Sequence, residues 1–480
     1  MHSGGELSLG ARLNDFSRLT INNSRIDSLA INSQALGFLL GASSSLQGSK
    51  NTVNVQAQGA SSAYGILIGD QGKAVLKNNA FQVSANNGNG VGADSESNST
   101  LTLTDNTINA QSKNGDAYGV LGGGKGRITL NNSLIESETT DSVGVAYGVY
   151  LKNDSQATVS TSEIKALSTF GNTFGLFLYD ASTLSLHNKS VVESFTRSND
   201  PFYSSAAYGV LVRKTASLQA SDSTIRSQNL GYDATGLLTL SGPINDSTLK
   251  QMTIQTISNK GTAVGVDSAS NLMVTNSTIT SVSNGEAAIG IKSPEDRLNI
   301  DNSVIEAEVS SGSGGAIGLD LLRFADVTLN ASQIKTRSVN GLSIGATLGD
   351  NSVLILKNHS SIDSFASHGP ASGVGLSWFT NLQASDSSIT ASSHGLYRAQ
   401  GIMATEFSAI SLAHTDIRVI ANKGLAVGLT STDFSTIALA NSALNVTASK
   451  AFLESGKTTN IHFNGVGNSC TVNGKLVSCP

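Results

Sequence analysis

Charge is scarce in this chain of 480 residues. Asp, Glu, Lys and Arg together make up 14%, and aromatics only 5%. There are 5 prolines and 2 cysteines. Each shortage excludes something. With 30 Lys and Arg against 35 Asp and Glu, and no basic cluster, there is no concentrated cationic face of the kind phosphate binding needs, so nucleic acid is not an expected partner. No run of eighteen apolar residues occurs, so no membrane-spanning helix is expected. Long Ala/Glu/Lys/Leu stretches, the mark of a helical protein, are missing as well. Disorder is excluded from the other side, because 39% hydrophobic residues suffice for a core and the net charge is only -5.

What is present in quantity is Gly, at 49 residues, together with Ser, Thr, Asn and β-branched residues. That mixture points to strands and turns. One phrase recurs: a small residue, any residue, Gly, then Val, Ile or Leu. Copies are Ala63-Tyr64-Gly65-Ile66, Ala117-Tyr118-Gly119-Val120, Ala146-Tyr147-Gly148-Val149, Ala207-Tyr208-Gly209-Val210 and Ala316-Ile317-Gly318-Leu319. Fourteen intervals separate Gly37 from Gly428, a mean of about 27.9 residues. A second phrase, apolar-x-apolar-x-Asn/Asp-Ser/Thr-x-Ile, keeps phase with the first, as in Ile128–Ile135 and Leu272–Ile279.

One period therefore reads as three short strands. Alternating residues around Gly make the first, Leu-x-Leu the second, and the Ile after the turn opens the third. Asn and Asp suit the turn because they tolerate left-handed backbone and bond their own main chain. Stacked coils should align Asn23, Asn78, Asp105, Asn132, Asp222, Asn276, Asn302, Asn358, Asp386 and Asn441 in a ladder. A propeller blade needs about 40 residues, and no segment has useful helical periodicity. The expected fold is an all-β, single-stranded, right-handed parallel β-helix of about fifteen coils. At about 4.8 Å per coil that predicts a rod of roughly 70 Å. The helix should occupy residues 1–450, with 451–480 as a C-terminal cap.

Cys470 and Cys479 lie in the last eleven residues and are expected to close a small disulfide loop, which implies an oxidising compartment. Two ligands are too few for zinc, and neither a metal nor a cofactor is expected. The start, Met1–Glu6, has neither a basic nor an apolar leader region. A cytosolic protein, a mature form and a part of a longer chain all remain open, the last two being favoured.

These alternating phrases resemble the passenger domains of bacterial autotransporters, pertactin-like in style, over roughly residues 7–450. The resemblance implies an extracellular or cell-surface protein of the adhesin or virulence-associated kind, presenting a surface to a glycan or a host protein. A departure is that no C-terminal membrane barrel is found, and the ending Val477-Ser478-Cys479-Pro480 favours secretion by another route.

Candidate sites follow from the expected register. Residues immediately before and after each Gly are expected inside, making Tyr64, Tyr118, Tyr147, Phe174 and Tyr208 a core stack. Residues two after Gly are expected outside, so Leu121, Tyr150, Phe177, Leu211 and Leu238 form an apolar stripe on coils four to eight, a candidate contact site. The longest interval, Gly175 to Gly209, carries Phe195, Arg197, Asp200, Pro201, Phe202 and Tyr203, a candidate binding loop. The outward column then turns to Asp267, Lys292 and Asp320. Its two carboxylates, two strand spacings of about 4.8 Å apart, fall near the upper range for inverting glycoside hydrolysis. A plain charge ladder is the alternative. The motifs of pectin-degrading β-helix hydrolases are missing; Ser367-His368-Gly369 and Ser393-His394-Gly395 lack the acids. A non-enzymatic binding protein is thus the first expectation, a polysaccharide-active enzyme using Asp267 and Asp320 the second, and a spike oligomerising through the stripe the third.

Overall fold

The structure, a computed structural model, describes residues 2–3, 7–141, 143–199, 205–240, 247–295, 297–455, 461–463 and 467–479. Among these residues every regular element is a strand, and the chain winds as a right-handed parallel β-solenoid of about 16 turns of ~27 residues. Two compact units are distinguished, Met1–Ser247 and Thr248–Pro480. The extra coil beyond the expected fifteen lies at the N-terminal end. Strand Ser8–Leu13 pairs in register with Ala35–Leu40, and a Cβ on Gly10 would meet Ile26 Cγ2 at 2.4 Å, as at the later glycines. Its glycine, Gly10, stands 27 residues before Gly37, the first that the counted phrases include.

In the first unit each coil has three strands. Thr100–Thr104 carries the Leu-x-Leu pattern (a Leu strand). Thr107–Ser112 begins after the turn (an Ile strand), and Ala117–Gly122 contains the phrase glycine (a Gly strand). Each pairs in parallel with its equivalent one coil on: Leu101 with Ile128, Ile108 with Ile135, Tyr118 with Tyr147. Like side chains therefore stack in columns. Leu101, Leu103, Ile108, Val120 and their equivalents are fully buried and form the core.

The turn between Leu and Ile strands behaves as its composition predicts. All ten Asn and Asp residues named above have φ between 45° and 55°. The ladder, however, lies one residue later. Side-chain bonds between consecutive left-handed residues are seen at Asn132–Asp105 and Asn302–Asn276. The sustained ladder joins the next, buried residue to the main chain of the neighbouring coil. Asn51 N–H donates to Asn79 Oδ1 at 3.0 Å and Asn79 N–H to Asn106 Oδ1 at 2.8 Å. Asn106 N–H donates to Ser133 Oγ at 3.2 Å, and Ser133 and Ser162 continue the series. The left-handed residue points its side chain outward, which leaves its successor facing in, where a buried N–H demands an acceptor.

The second unit repeats this plan. Ala263–Ser268, Ala288–Ser293 and Ala316–Leu321 are successive Gly strands, and Ser277, Ser303, Ser332 and Ser360 form its turn ladder. Parallel pairing runs past residue 450: Ala443–Val446 pairs with Ser469–Val472. The chain then reverses, and Lys475–Val477 pairs antiparallel with Val472–Cys470. Cys470 and Cys479 form the expected disulfide across this hairpin, with Cα atoms 5.3 Å apart.

The ladder yields a graded prediction. Asn79→Ala strands the Asn51 N–H in the interior and should cost about 1–3 kcal/mol. Asn79→Ser restores the acceptor that later coils use and should recover a large part of that loss. Denaturant midpoints of the two variants measure this; equal losses would refute a hydrogen-bonding role.

Candidate functional site

The Gly strands set the surface chemistry of the first unit. Their burial runs in-out-in-in-out-in. Gly119 faces inward: a Cβ there would lie 2.4 Å from Ile135 Cγ2 and 2.5 Å from the Gly148 carbonyl oxygen, so only Gly fits. The next residue, Val120, also faces inward and is fully buried. Alternation restarts at this point, and the two outward residues are the one before Gly and the one two after it.

This corrects the expected core stack. Tyr64, Tyr118, Tyr147 and Tyr208 are half-exposed outward residues, and Phe174 belongs to the same outer column although it is largely covered. The alternation broke because Gly and its successor share one face, which a strict period of two does not anticipate. The stripe Leu121, Tyr150, Phe177, Leu211 and Leu238 does lie outside, in consecutive register, with Leu211 nearly covered.

Two outer columns thus stand side by side. Along the first, Tyr118, Tyr147, Phe174 and Tyr208 stack with centroids 4.9, 5.3 and 5.0 Å apart and interplanar angles of at most 11°. In the second, Tyr150 packs against Tyr147 at 5.2 Å. Phe177 stands perpendicular to Tyr150 and Phe174. Such pairs add about 0.5–1.5 kcal/mol each beyond burial. Neighbouring rings cover one another's faces in the first column, so edges and hydroxyls are what it offers outward. Tyr118 donates its hydroxyl to Asp116 Oδ2 at 3.2 Å, and Asp116 Oδ1 accepts from the Val145 N–H at 2.8 Å. Burial, and next the charge of Asp116, push Tyr147 up to about 12 and Tyr118 higher still, so these hydroxyls remain proton donors. Tyr179 marks the edge of the face, under Lys214 Nζ at 4.1 Å.

Among the described residues of the first unit, Asp94 is the acid that stands within the outer columns of this face. Its register partners are Leu67 and Leu121, it is only 5% exposed, and its Oδ1 has no hydrogen-bond partner. Burial first, and the charge of Glu96 second, raise its carboxyl to about 7 against the opposing pull of Lys152. It can therefore stay protonated near neutrality and donate.

Other sequence candidates are placed as follows. Phe195 belongs to strand Val191–Thr196 rather than to a loop, and it faces outward because it follows the strand's alternation. Arg197 lies just beyond, with its guanidinium 5.9 Å from the Phe195 ring and NH1 3.1 Å from Glu138 Oε1. Asp200, Pro201, Phe202 and Tyr203 lie outside the described residues. In the second unit Asp267, Lys292 and Asp320 occupy successive outward positions. Lys292 Nζ is 3.3 Å from Asp267 Oδ2, and Asp320 accepts from Thr347 Oγ1 at 2.8 Å. Burial nonetheless raises the Asp267 carboxyl. No group of three or more His, Cys, Asp or Glu suited to a metal is found among the described residues.

A family model described as a right handed beta helix region matches residues 36–225. No curated protein gives a match. The matched span contains Asp94 and most of both aromatic columns, and it agrees with the coil geometry: the fold is a right-handed parallel β-helix.

Sequence reasoning missed two features. Asp94 follows the weak phrase Val91-Gly92-Ala93, and its burial depends on Leu67 and Leu121, one coil away on either side. In the second unit, Phe379, Phe407 and Phe434 stack 5.1 and 5.3 Å apart at the turn after successive Gly strands. They are 57%, 52% and 74% exposed and hold φ of 59° to 64°, where Asn would be cheaper. Only the Phe spacing of 27 to 28 residues signals them in the sequence.

Asp94 gives a pH prediction. Between about pH 4 and 7 the folded chain keeps a proton that the unfolded chain has lost. Stability from this group is thus full below about pH 4 and falls as pH rises to about 7. Asp94→Asn should be more stable than the parent at pH 8, by on the order of a few kcal/mol, and nearly equal to it at pH 4. Denaturant titrations at the two pH values test this, and a pH-independent difference would contradict it.

Proposed function

We propose that this is an extracellular β-helix binding protein of the adhesin type, similar in style to autotransporter passengers, which holds a protein partner on the aromatic Gly-strand face of its first unit. The observation carrying this reading is the pair of adjacent outer columns, Tyr118–Tyr147–Phe174–Tyr208 and Leu121–Tyr150–Phe177–Leu211. Tyr and Phe clustered on rigid strands, at low entropic cost, are the composition of interface centres. A protein partner is favoured on this face over a sugar because the stacked rings of the first column leave little open ring surface for a pyranose. The disulfide at Cys470 and Cys479 supports an oxidising, extracellular location.

A polysaccharide-active enzyme built on Asp267 and Asp320 is less well supported. Lys292 occupies the register position between them and pairs with Asp267, as a charge ladder requires.

The test is adhesion of host cells to surfaces coated with the protein, before and after protease treatment of the cells. Protease should abolish adhesion. The double variant Tyr150→Ser/Phe177→Ser should weaken it at least about tenfold, as loss of two interface anchors implies. Asp267→Asn should leave it unchanged. Release of reducing ends from a polysaccharide, lost in Asp267→Asn, would instead establish the enzyme.

A further inference from the structure

A second face of the first unit has a different chemistry. The Ile strands Arg25–Ala30, Thr52–Ala57, Ala80–Ala85 and Thr107–Ser112 place two outward columns next to each other. One runs Asp27, Asn54, Gln82, Asn109; the other runs Leu29, Gln56, Ser84, Gln111. A shallow groove of about 480 Å³ lies over them, its lining including Asn54, Gln56, Gln82 and Gln111. We propose that this groove binds a neutral glycan chain.

The residues are unusual for their positions. Asn is depleted in strands, and an outward strand position favours Thr, Val or a paired charge. Further along the same columns, that is what stands there: Glu193 with Arg226 at 2.8 Å, and Glu138, which pairs at 3.1 Å with Arg197 just past the end of a strand. Over the first four coils the charges give way to amides, several of which have hydrogen-bonding capacity to spare. The Gln56 and Gln82 side chains make no hydrogen bond among the described residues, and Asn109 Oδ1 is buried without a partner. The one full charge pair is satisfied internally: Arg25 Nε bonds both oxygens of Asp27, and Asn54 Nδ2 donates to the same carboxylate at 2.7 Å.

The ligand class follows from this inventory. Primary amides each offer two donors and an acceptor and carry no charge, which matches the hydroxyls and ring oxygens of a sugar. Four strands at about 4.8 Å spacing give a groove roughly 14 Å long, enough for a short oligosaccharide. A nucleic acid would need a run of cations, whereas among the described lining residues the cation is Arg25, already bonded to Asp27. An extended peptide would need a free strand edge or side-chain pockets, whereas the two inner strands here are paired on both sides.

The experiment probes the full chain with a printed array of neutral and uronate-containing oligosaccharides. Calorimetry with chitohexaose, cellohexaose and maltoheptaose follows. The expected result is binding to a neutral oligosaccharide that weakens at least about tenfold in Gln56→Ala/Gln82→Ala and persists in Tyr150→Ser/Phe177→Ser. Circular dichroism and the denaturant midpoint check that the double Ala variant is folded; since both residues are exposed, it should be. Binding confined to uronates, binding of an extended-peptide library in place of sugars, binding indifferent to the double Ala variant, or no neutral sugar bound would each overturn the proposal. Loss of cell adhesion in the Tyr/Phe variant with sugar binding intact separates this site from the aromatic face.

Discussion

A main-chain N–H buried at every turn is the constraint on which the rest of each unit depends. The left-handed residue at the corner sends the chain into the Ile strand and turns the following N–H inward, away from water. Asn51, Asn79 and Asn106, and after them Ser133 and Ser162, supply the acceptor from the adjacent coil. Unlike a strand ladder, this contact uses a side chain, so it fixes register: a slip of one residue would turn the acceptor outward, away from the buried N–H. The core columns are then aligned automatically, and so are the outward columns that carry chemistry.

The phrase glycine is the second device. It lets an Ile from the neighbouring strand lie against bare backbone, and it places two successive residues on the inner face. One consequence is economy of core volume. The other is that the residue ahead of Gly is sent outward, which brings Tyr118, Tyr147, Phe174 and Tyr208 beside Tyr150 and Phe177. Without that restart the face would hold one aromatic column instead of two.

Much of the architecture was legible in the sequence because period, turn chemistry and core composition repeat in phase. The corner residues Asn23 through Asn441 could be named individually, and so could the stripe Leu121–Leu238. Strict alternation fails where it meets Gly: it predicts Tyr118 inward, on a geometry that its own neighbour breaks. Asp94 escaped notice because its burial comes from Leu67 and Leu121, each a full coil away. The amides of the Ile strands, scattered singly at 27 to 28 residues, look like ordinary polar filler until stacking brings Asn54 beside Gln82. Linear motifs reveal columns only when the motif itself is repeated.

The short hairpin at the end of the second unit acts on a problem common to all parallel sheets. The edge beyond Ser469–Val472 could template the addition of another strand from a neighbouring molecule. Here that edge is already occupied by Lys475–Val477, running the opposite way and only three residues long. The covalent tie between Cys470 and Cys479 holds the reversal in place. Reduction of this pair would remove the tie and leave the same edge open to end-on self-association, so the covalent bond also acts against fibre growth.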